Sequence, residues 1–262
     1  MGASDARVIA EIEDGTTPTW VAVADLNRDG NPDLAVTDTS DNSVHVLLGV
    51  GDGTFGPAST FMTAAGPLSI AAADFNGDGK LDLATASTGS GAGTVSILLG
   101  NGSGGFGIGQ TTALSGTGGI KMMTTGDVNV DGKIDVVLAA GSNGTGAGAL
   151  VLLGNGNGTF ATPALYSGGA FDSSWVEIAD LTGDGKADLA ALSRSSYVVS
   201  ILTGNGFGNF AKLQSYSTSV RPLTAAVGDF DFDGRADLVI GGENGGGLPG
   251  SASVHLQSGC LP

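Results

Sequence analysis

The sequence has few of the residues that commonly mark a disulfide-rich domain, a nucleic-acid-binding protein or an enzyme. Its 262 residues include one cysteine, two histidines and ten lysines and arginines. The single Cys260 excludes an intrachain disulfide. The shortage of basic residues argues against a nucleic-acid partner, because phosphate binding needs clustered Lys and Arg. No apolar run reaches the roughly 18 residues of a membrane helix, so no membrane insertion is expected. The first residues also lack the basic and apolar regions of a signal peptide.

Glycine and acidic residues are abundant. The chain has 47 glycines, 26 acidic residues and a formal net charge of -16. Sixteen of the acidic residues lie in five similar segments, of which "DLNRDGNPDL" is the first. These acidic loops, here loops 1 to 5, begin at Asp25, Asp74, Asp127, Asp180 and Asp229, with spacings of 49, 53, 53 and 49 residues. The sequence is therefore an internal repeat.

Each repeat has the pattern of a small antiparallel sheet. An apolar strand precedes the acidic loop, a second strand follows it, and a third strand such as "TVSILLG" leads through a glycine-rich turn to a fourth. Helical periodicity is absent. About 50 residues with four short strands is the size of a propeller blade. We predict one all-β domain over residues 1–262, a β-propeller with five blades. The last repeat lacks a fourth strand, and the N-terminal "ARVIAEIEDG" is predicted to supply it and close the ring.

The acidic loops have the pattern of a hard-cation site. Side-chain oxygens recur at positions 1, 3, 5 and 9, and the glycine at position 6 lets the position-7 carbonyl turn inward. Ca²⁺ takes six to eight such oxygens and tolerates irregular geometry. An Asp-Gly pair also occurs in ordinary hairpin turns, but five copies in phase favour about five calcium sites. The predicted ligands, with position 7 contributing its backbone carbonyl, are Asp25, Asn27, Asp29, Asn31 and Asp33 in loop 1; Asp74, Asn76, Asp78, Lys80 and Asp82 in loop 2; Asp127, Asn129, Asp131, Lys133 and Asp135 in loop 3; Asp180, Thr182, Asp184, Lys186 and Asp188 in loop 4; and Asp229, Asp231, Asp233, Arg235 and Asp237 in loop 5.

The five loops are not equivalent in charge. Thr182 replaces an amide oxygen with a hydroxyl in loop 4, whereas Asp231 adds a carboxylate in loop 5. Charge alone therefore predicts that loop 4 binds calcium more weakly than loop 5.

The repeats resemble the integrin-α-like FG-GAP and VCBS repeats. The match rests on "AADFNGDGKLDLATAS" followed by "VSILLGNGSGGF", and it covers nearly the whole chain. The resemblance implies a calcium-binding β-propeller in a secreted or cell-surface protein, used for adhesion, sugar binding or as an accessory module. Integrin-like propellers typically have seven blades, whereas this sequence predicts five.

A non-catalytic binding module is the predicted function, with carbohydrate as the leading ligand. His45 and His255 occupy equivalent strand positions where other repeats carry Ser or Val, which indicates a strand face rather than a catalytic base. A protein-binding or structural module is the alternative, and a polysaccharide-active enzyme a third. The oligomeric state stays open. The predicted ligand-binding residues, in the variable connections, are Trp20, Trp175, Phe171, Asp172, Tyr197 and Arg221. For the two tryptophans, an aromatic surface for a sugar ring competes with simple packing between blades.

Overall fold

The computed structural model describes residues 17–89, 93–115, 119–141, 147–170, 173–243 and 251–255. These residues form nineteen β-strands and contain no helix, which confirms the predicted all-β class. Within this part of the chain, no helix is long and apolar enough to cross a membrane.

The strands form five antiparallel sheets, here called blades 1 to 5, each built from consecutive strands. Blade 1 contains β1 (Pro18–Ala24), β2 (Asp33–Asp38), β3 (Ser43–Leu47) and β4 (Ser59–Met62). Blade 2 contains β5 (Pro67–Ala73), β6 (Asp82–Ser87), β7 (Thr94–Gly100) and β8 (Phe106–Ala113). Blade 3 contains β9 (Ile120–Gly126), β10 (Asp135–Ala140), β11 (Ala147–Leu152) and β12 (Ala164–Ala170). Blade 4 contains β13 (Ser173–Ala179), β14 (Asp188–Ser193), β15 (Val198–Gly204) and β16 (Phe210–Ser217). Blade 5 contains β17 (Arg221–Gly228), β18 (Asp237–Glu243) and β19 (Ser251–His255).

The blades follow one another as in a propeller. The first strands of successive blades contact each other in chain order, from β1 through β5, β9 and β13 to β17. Blade 5 has three strands in the described part of the chain, as the sequence predicts. The predicted closing strand falls within residues 1–16, which lie outside the described residues, so ring closure stays a prediction.

The core lies between the faces of adjacent blades. Four apolar clusters fill the junctions of blades 1 and 2, 2 and 3, 3 and 4, and 4 and 5. Because both faces of an inner blade are covered, the second strands β6, β10 and β14 are buried along their whole length. The fourth strands β8 and β16 are largely exposed. Burial thus decreases from the second to the fourth strand of a blade. Each acidic loop leads directly into the buried second strand.

Candidate functional site: five acidic loops and the opposite surface

The acidic loops connect the first and second strands of each blade and share one backbone conformation. The glycine at position 6 has a positive φ of 77–87° in all five loops. Position 4 is also left-handed, at 61–74°, although it is Arg28 in loop 1, Val130 in loop 3 and Phe232 in loop 5. Non-glycine residues rarely adopt this conformation, so the same turn is imposed at each site by its surroundings.

The position-1 aspartate closes each loop. One carboxylate oxygen accepts the position-5 N–H at 3.1–3.2 Å, and the other accepts the position-6 N–H at 2.7–2.9 Å. The position-5 carboxylate in turn accepts the position-7 N–H at 2.8–3.0 Å. These bonds gather the side chains of positions 1 and 5 around a single turn.

The position-9 aspartate is buried and ties its loop to the third strand of the same blade. The five side chains, Asp33, Asp82, Asp135, Asp188 and Asp237, are at most 1% exposed. In each, one oxygen accepts the position-2 N–H at 2.8–3.1 Å. In blades 1 to 4 the other oxygen accepts an N–H from a glycine at or just after the end of the third strand, at 2.7–2.8 Å.

Those glycines belong to the site, and sequence reasoning missed them. They are Gly49, Gly100, Gly154 and Gly204, each the last letter of an "LLG" or "LTG" segment. A Cβ added to any of them would lie 2.0–2.2 Å from the backbone carbonyl oxygen at position 8. The recurring glycine after each third strand was the available signal.

Burial perturbs the pKa of three of the position-9 carboxylates. Burial raises the pKa of Asp82, Asp135 and Asp188, and the aspartates at positions 1 and 5 of the loop add to the rise in Asp82 and Asp135. The backbone N–H groups that donate to these carboxylates oppose the rise in pKa. At position 5, the hydrogen bond from Lys80 lowers the pKa of Asp78, and Lys186 does the same for Asp184. A cation near the buried carboxylates would favour their ionised form.

Loops 4 and 5 differ as their sequences suggest. At Asp184 the Lys186 hydrogen bond is the main cause of the lowered pKa and Thr182 adds to it, whereas at Asp188 Thr182 only opposes the rise in pKa that burial causes. In loop 5, carboxylate oxygens of Asp229, Asp231 and Asp237 lie within 4.8 Å of one another. Two oxygens bound to one Ca²⁺ at about 2.3–2.6 Å are at most about 5 Å apart. These three carboxylates of loop 5 are therefore close enough to bind one cation, whereas no such group of three is found among the described acidic residues of loops 1 to 4.

A second acidic group lies at the opposite end of blade 1. Asp38, Asp41 and His45 also bring ligand atoms within 4.8 Å. His45 is 2% exposed, and its ring nitrogens lie 3.1 Å from the hydroxyls of Ser43 and Thr60. Its polar atoms are thus satisfied inside the blade, as expected for a strand-face histidine.

The two tryptophans predicted to bind a ligand contact each other. Trp20 of blade 1 and Trp175 of blade 4 have ring centroids 5.6 Å apart at an interplanar angle of 51°. Both rings pack against the apolar cluster between blades 3 and 4. The Trp175 indole N–H donates to Glu177 Oε1 at 2.7 Å. The pair thus joins blades 1 and 4 across the inner side of the propeller. Phe171 and Asp172 lie outside the described residues.

The other predicted ligand residues lie near the junction of blades 4 and 5, at the end opposite the acidic loops. Arg221 Nη1 and Arg194 Nη2 bond to the same Glu243 oxygen, at 3.1 and 2.7 Å. The Arg194 bond is the main cause of a lowered Glu243 pKa. Tyr197, in the same β14–β15 connection as Arg194, is 40% exposed. Sequence reasoning named Arg221 and Tyr197 but missed Arg194, because nothing in the repeat pattern pairs it with Glu243.

The blades and the acidic loops define a class of protein, a propeller built from repeats that each carry one acidic loop. A family model described as "FG-GAP-like repeat" matches residues 25–85, 127–191 and 180–240. The chain belongs to the FG-GAP-like repeat family, which confirms the resemblance seen in the sequence.

Solved structures with a similar fold are distant in sequence. BBS1N in complex with ARL6DN has a TM-score of 0.59 and 14% identity, over 95% of this chain and 70% of that chain. A putative 6-phosphogluconolactonase from Bacteroides uniformis has a TM-score of 0.58 and 16% identity, over 79% of this chain and 56% of that chain. Rhamnogalacturonan lyase PL11 from Bacillus licheniformis has a TM-score of 0.54 and 16% identity, over 87% of this chain and 47% of that chain. The chain spans less than two thirds of the two bacterial proteins. A search of curated proteins found no match. These likenesses concern the fold alone.

Proposed function

We propose that the chain is a calcium-binding propeller module that binds a ligand without catalysing a reaction. The observation that carries the calcium part is the repetition of one loop geometry at five places. Each loop has the same two left-handed residues, the same position-1 hydrogen bonds and a buried carboxylate at position 9. A simple hairpin turn needs no buried charge, since burying a carboxylate disfavours its ionised form.

The residues that would hold calcium are the side-chain oxygens at positions 1, 3, 5 and 9, with the position-7 carbonyl. Bound calcium would supply positive charge to loops that hold 16 of the 26 acidic residues. Because the ion would bind the folded loops and not the unfolded chain, it would raise the free energy of unfolding. Loop 5, with four aspartates, is the tightest proposed site, and loop 4 the weakest. A secreted or cell-surface location would supply calcium at the concentrations that extracellular modules need.

A non-catalytic role is supported by the side chains of the described residues. His45 is only 2% exposed, with its ring near the Ser43 and Thr60 hydroxyls and the Asp41 carboxylate, and the carboxylates of the acidic loops accept backbone N–H groups. Neither arrangement offers a group poised to transfer a proton to an external substrate. The lactonase and lyase names belong to proteins that share only the fold.

Carbohydrate is the proposed ligand, and the surface near Tyr197 is its proposed site. Tyr197 is exposed in the connection that also carries Arg194, whose partner Glu243 also bonds to Arg221. An aromatic ring and hydrogen-bonding groups in one region of the surface suit a sugar. The packed tryptophans suit it less, since their rings contact each other. A protein ligand is the second candidate, because the similar fold of BBS1N is seen in a complex with another protein.

The calcium proposal is tested by titration calorimetry and thermal melting. The purified chain should take up about five Ca²⁺ ions, and a chelator should lower its melting temperature. Magnesium at the same concentration is the matched control, and it should stabilise less because it keeps its water shell. No heat of binding together with an unchanged melting temperature would contradict the proposal.

The ligand proposal is tested by a glycan array, probed once with calcium and once with chelator. Tyr197→Ala and Arg221→Ala should lose binding at an unchanged melting temperature. Trp20→Ala should lower the melting temperature, because its ring packs in the core. An array without signal in both conditions would favour the protein-binding alternative.

A further inference from the structure

Three of the acidic loops carry a cation of their own at position 7. The residue is Lys80 in loop 2, Lys133 in loop 3 and Lys186 in loop 4, and each ammonium nitrogen lies 2.6–3.2 Å from one oxygen of the position-5 aspartate. The other oxygen of that aspartate accepts the backbone N–H of the same lysine at 2.9–3.0 Å. Position 7 therefore engages both oxygens of the position-5 carboxylate, which is a predicted calcium ligand.

The three lysine side chains are also held along their length. Each lies against a glycine in the turn between the third and fourth strands of its own blade. A Cβ added to that glycine would lie 2.9–3.2 Å from the lysine Cδ, with Gly102 facing Lys80, Gly156 facing Lys133 and Gly206 facing Lys186. The bare turn leaves room for the lysine stem, and the ammonium reaches the loop beyond it. The same arrangement in three blades indicates a position that the fold sets.

Loops 1 and 5 have no such ammonium. Position 7 of loop 1 is the neutral Asn31, and the oxygen of Asp29 that would face a lysine accepts an N–H from the Asn27 side-chain amide at 2.9 Å. Position 7 of loop 5 is Arg235, and among the described residues it forms no ion pair with Asp233. The chain therefore has three loops with an internal cation at the position-5 carboxylate and two without one.

An ammonium at this distance opposes a calcium ion in the same loop. The ion would either share the position-5 carboxylate with the ammonium, which brings two positive charges together, or replace it, which breaks the ion pair. The paired lysine and aspartate side chains are 34–43% exposed, so water screens the interaction. Removing one ammonium should therefore change the calcium affinity of its loop about two- to fivefold.

We propose that Lys80, Lys133 and Lys186 are internal counter-ions that compete with calcium, so that loops 1 and 5 bind the ion before loops 2, 3 and 4. This inference rests on the proposed calcium function and adds an order of filling to it. Without calcium, each ammonium offsets part of the negative charge of its loop. The chain therefore takes up calcium in two stages rather than at five equal sites.

Competition with a chromophoric calcium chelator, measured on the full chain, tests this inference. The wild type should bind about two ions more tightly than the remaining three. Lys133→Met/Lys186→Met keeps both stems but removes both ammonium groups, so it should bind two of the weaker ions about two- to fivefold more tightly. Lys121→Met/Lys212→Met is the matched control, because it removes the same charge from exposed lysines outside the acidic loops and should leave the affinities unchanged. Each single loop variant gives the same test for one ion if the double variant does not fold.

Four results would overturn the inference. A wild type with equal affinity at all its sites would contradict the order of filling. Unchanged affinity in Lys133→Met/Lys186→Met would show that the ammonium groups do not oppose the ion, and weaker binding would show that they support it. Equal tightening in Lys121→Met/Lys212→Met would reveal a general effect of net charge. A wild type that takes up no calcium would instead refute the calcium proposal itself, and this is measured before any variant.

Discussion

Asp82→Asn tests whether the position-9 aspartate supports the fold without a bound ion. Asp82 is fully buried and accepts N–H groups from Phe75 at 3.1 Å and Gly100 at 2.8 Å. An asparagine has the same shape but one acceptor oxygen, so its amide nitrogen would face one of the two N–H donors. The substitution therefore breaks either the link to the loop or the link to the third strand.

The size of the effect follows from these two bonds. A hydrogen bond to a charged acceptor contributes about 1.5–3 kcal/mol, and a buried N–H left unpaired costs about 1–3 kcal/mol. Burial raises the pKa of Asp82, so removing its charge returns part of that loss. We expect a net loss of about 2 kcal/mol, which corresponds to a fall of about 4–8 °C in melting temperature for a chain of this size.

Urea unfolding in excess chelator is the decisive assay, because calcium is then absent from both proteins. Asp52→Asn is the matched control, since Asp52 is exposed and bonds only to nearby Thr54 in the β3–β4 turn. The control should leave the unfolding midpoint unchanged. If Asp82→Asn in chelator is as stable as Asp52→Asn, then the two backbone bonds contribute little and position 9 serves a bound ion alone.

Three further changes have definite expected outcomes. Gly100→Ala should cost about 3 kcal/mol or more in urea unfolding, because its Cβ would meet the Leu81 carbonyl oxygen at 2.0 Å. Asp231→Asn should weaken the tightest calcium step in calorimetry several-fold and leave the other steps unchanged. Glu177→Gln keeps an acceptor for Trp175 but removes a carboxyl whose pKa burial raises above its ordinary 4.5. The wild type therefore loses stability as pH rises through that pKa, so the variant should melt higher at pH 7 and this advantage should shrink at pH 4.

The repeat made the blades predictable. Four strands per repeat follow from the order of apolar segments and turns, and the structure shows four strands in each of blades 1 to 4. The position-9 bonds were harder to predict, because the recurring glycine after each third strand marks the partner but lies 16–19 residues away, and only the fold brings the two together. The Trp20–Trp175 contact was also hidden, since it joins blades that are distant in sequence. The spacing of strands and turns along the sequence predicts each blade, whereas contacts between distant blades depend on how all the blades are arranged around the propeller.

One nine-residue loop performs three structural tasks, and this explains why its pattern recurs so closely. In loops 1 to 4, position 1 closes the turn, position 2 packs in the apolar cluster shared with the next blade, and position 9 ties the turn to the third strand of its own blade. Each task constrains a different residue type: a short acid, an apolar side chain and a buried acid. A loop without calcium would still need all three to keep its blade packed. The acidic pattern therefore supports the packing of the blade as well as the proposed calcium sites.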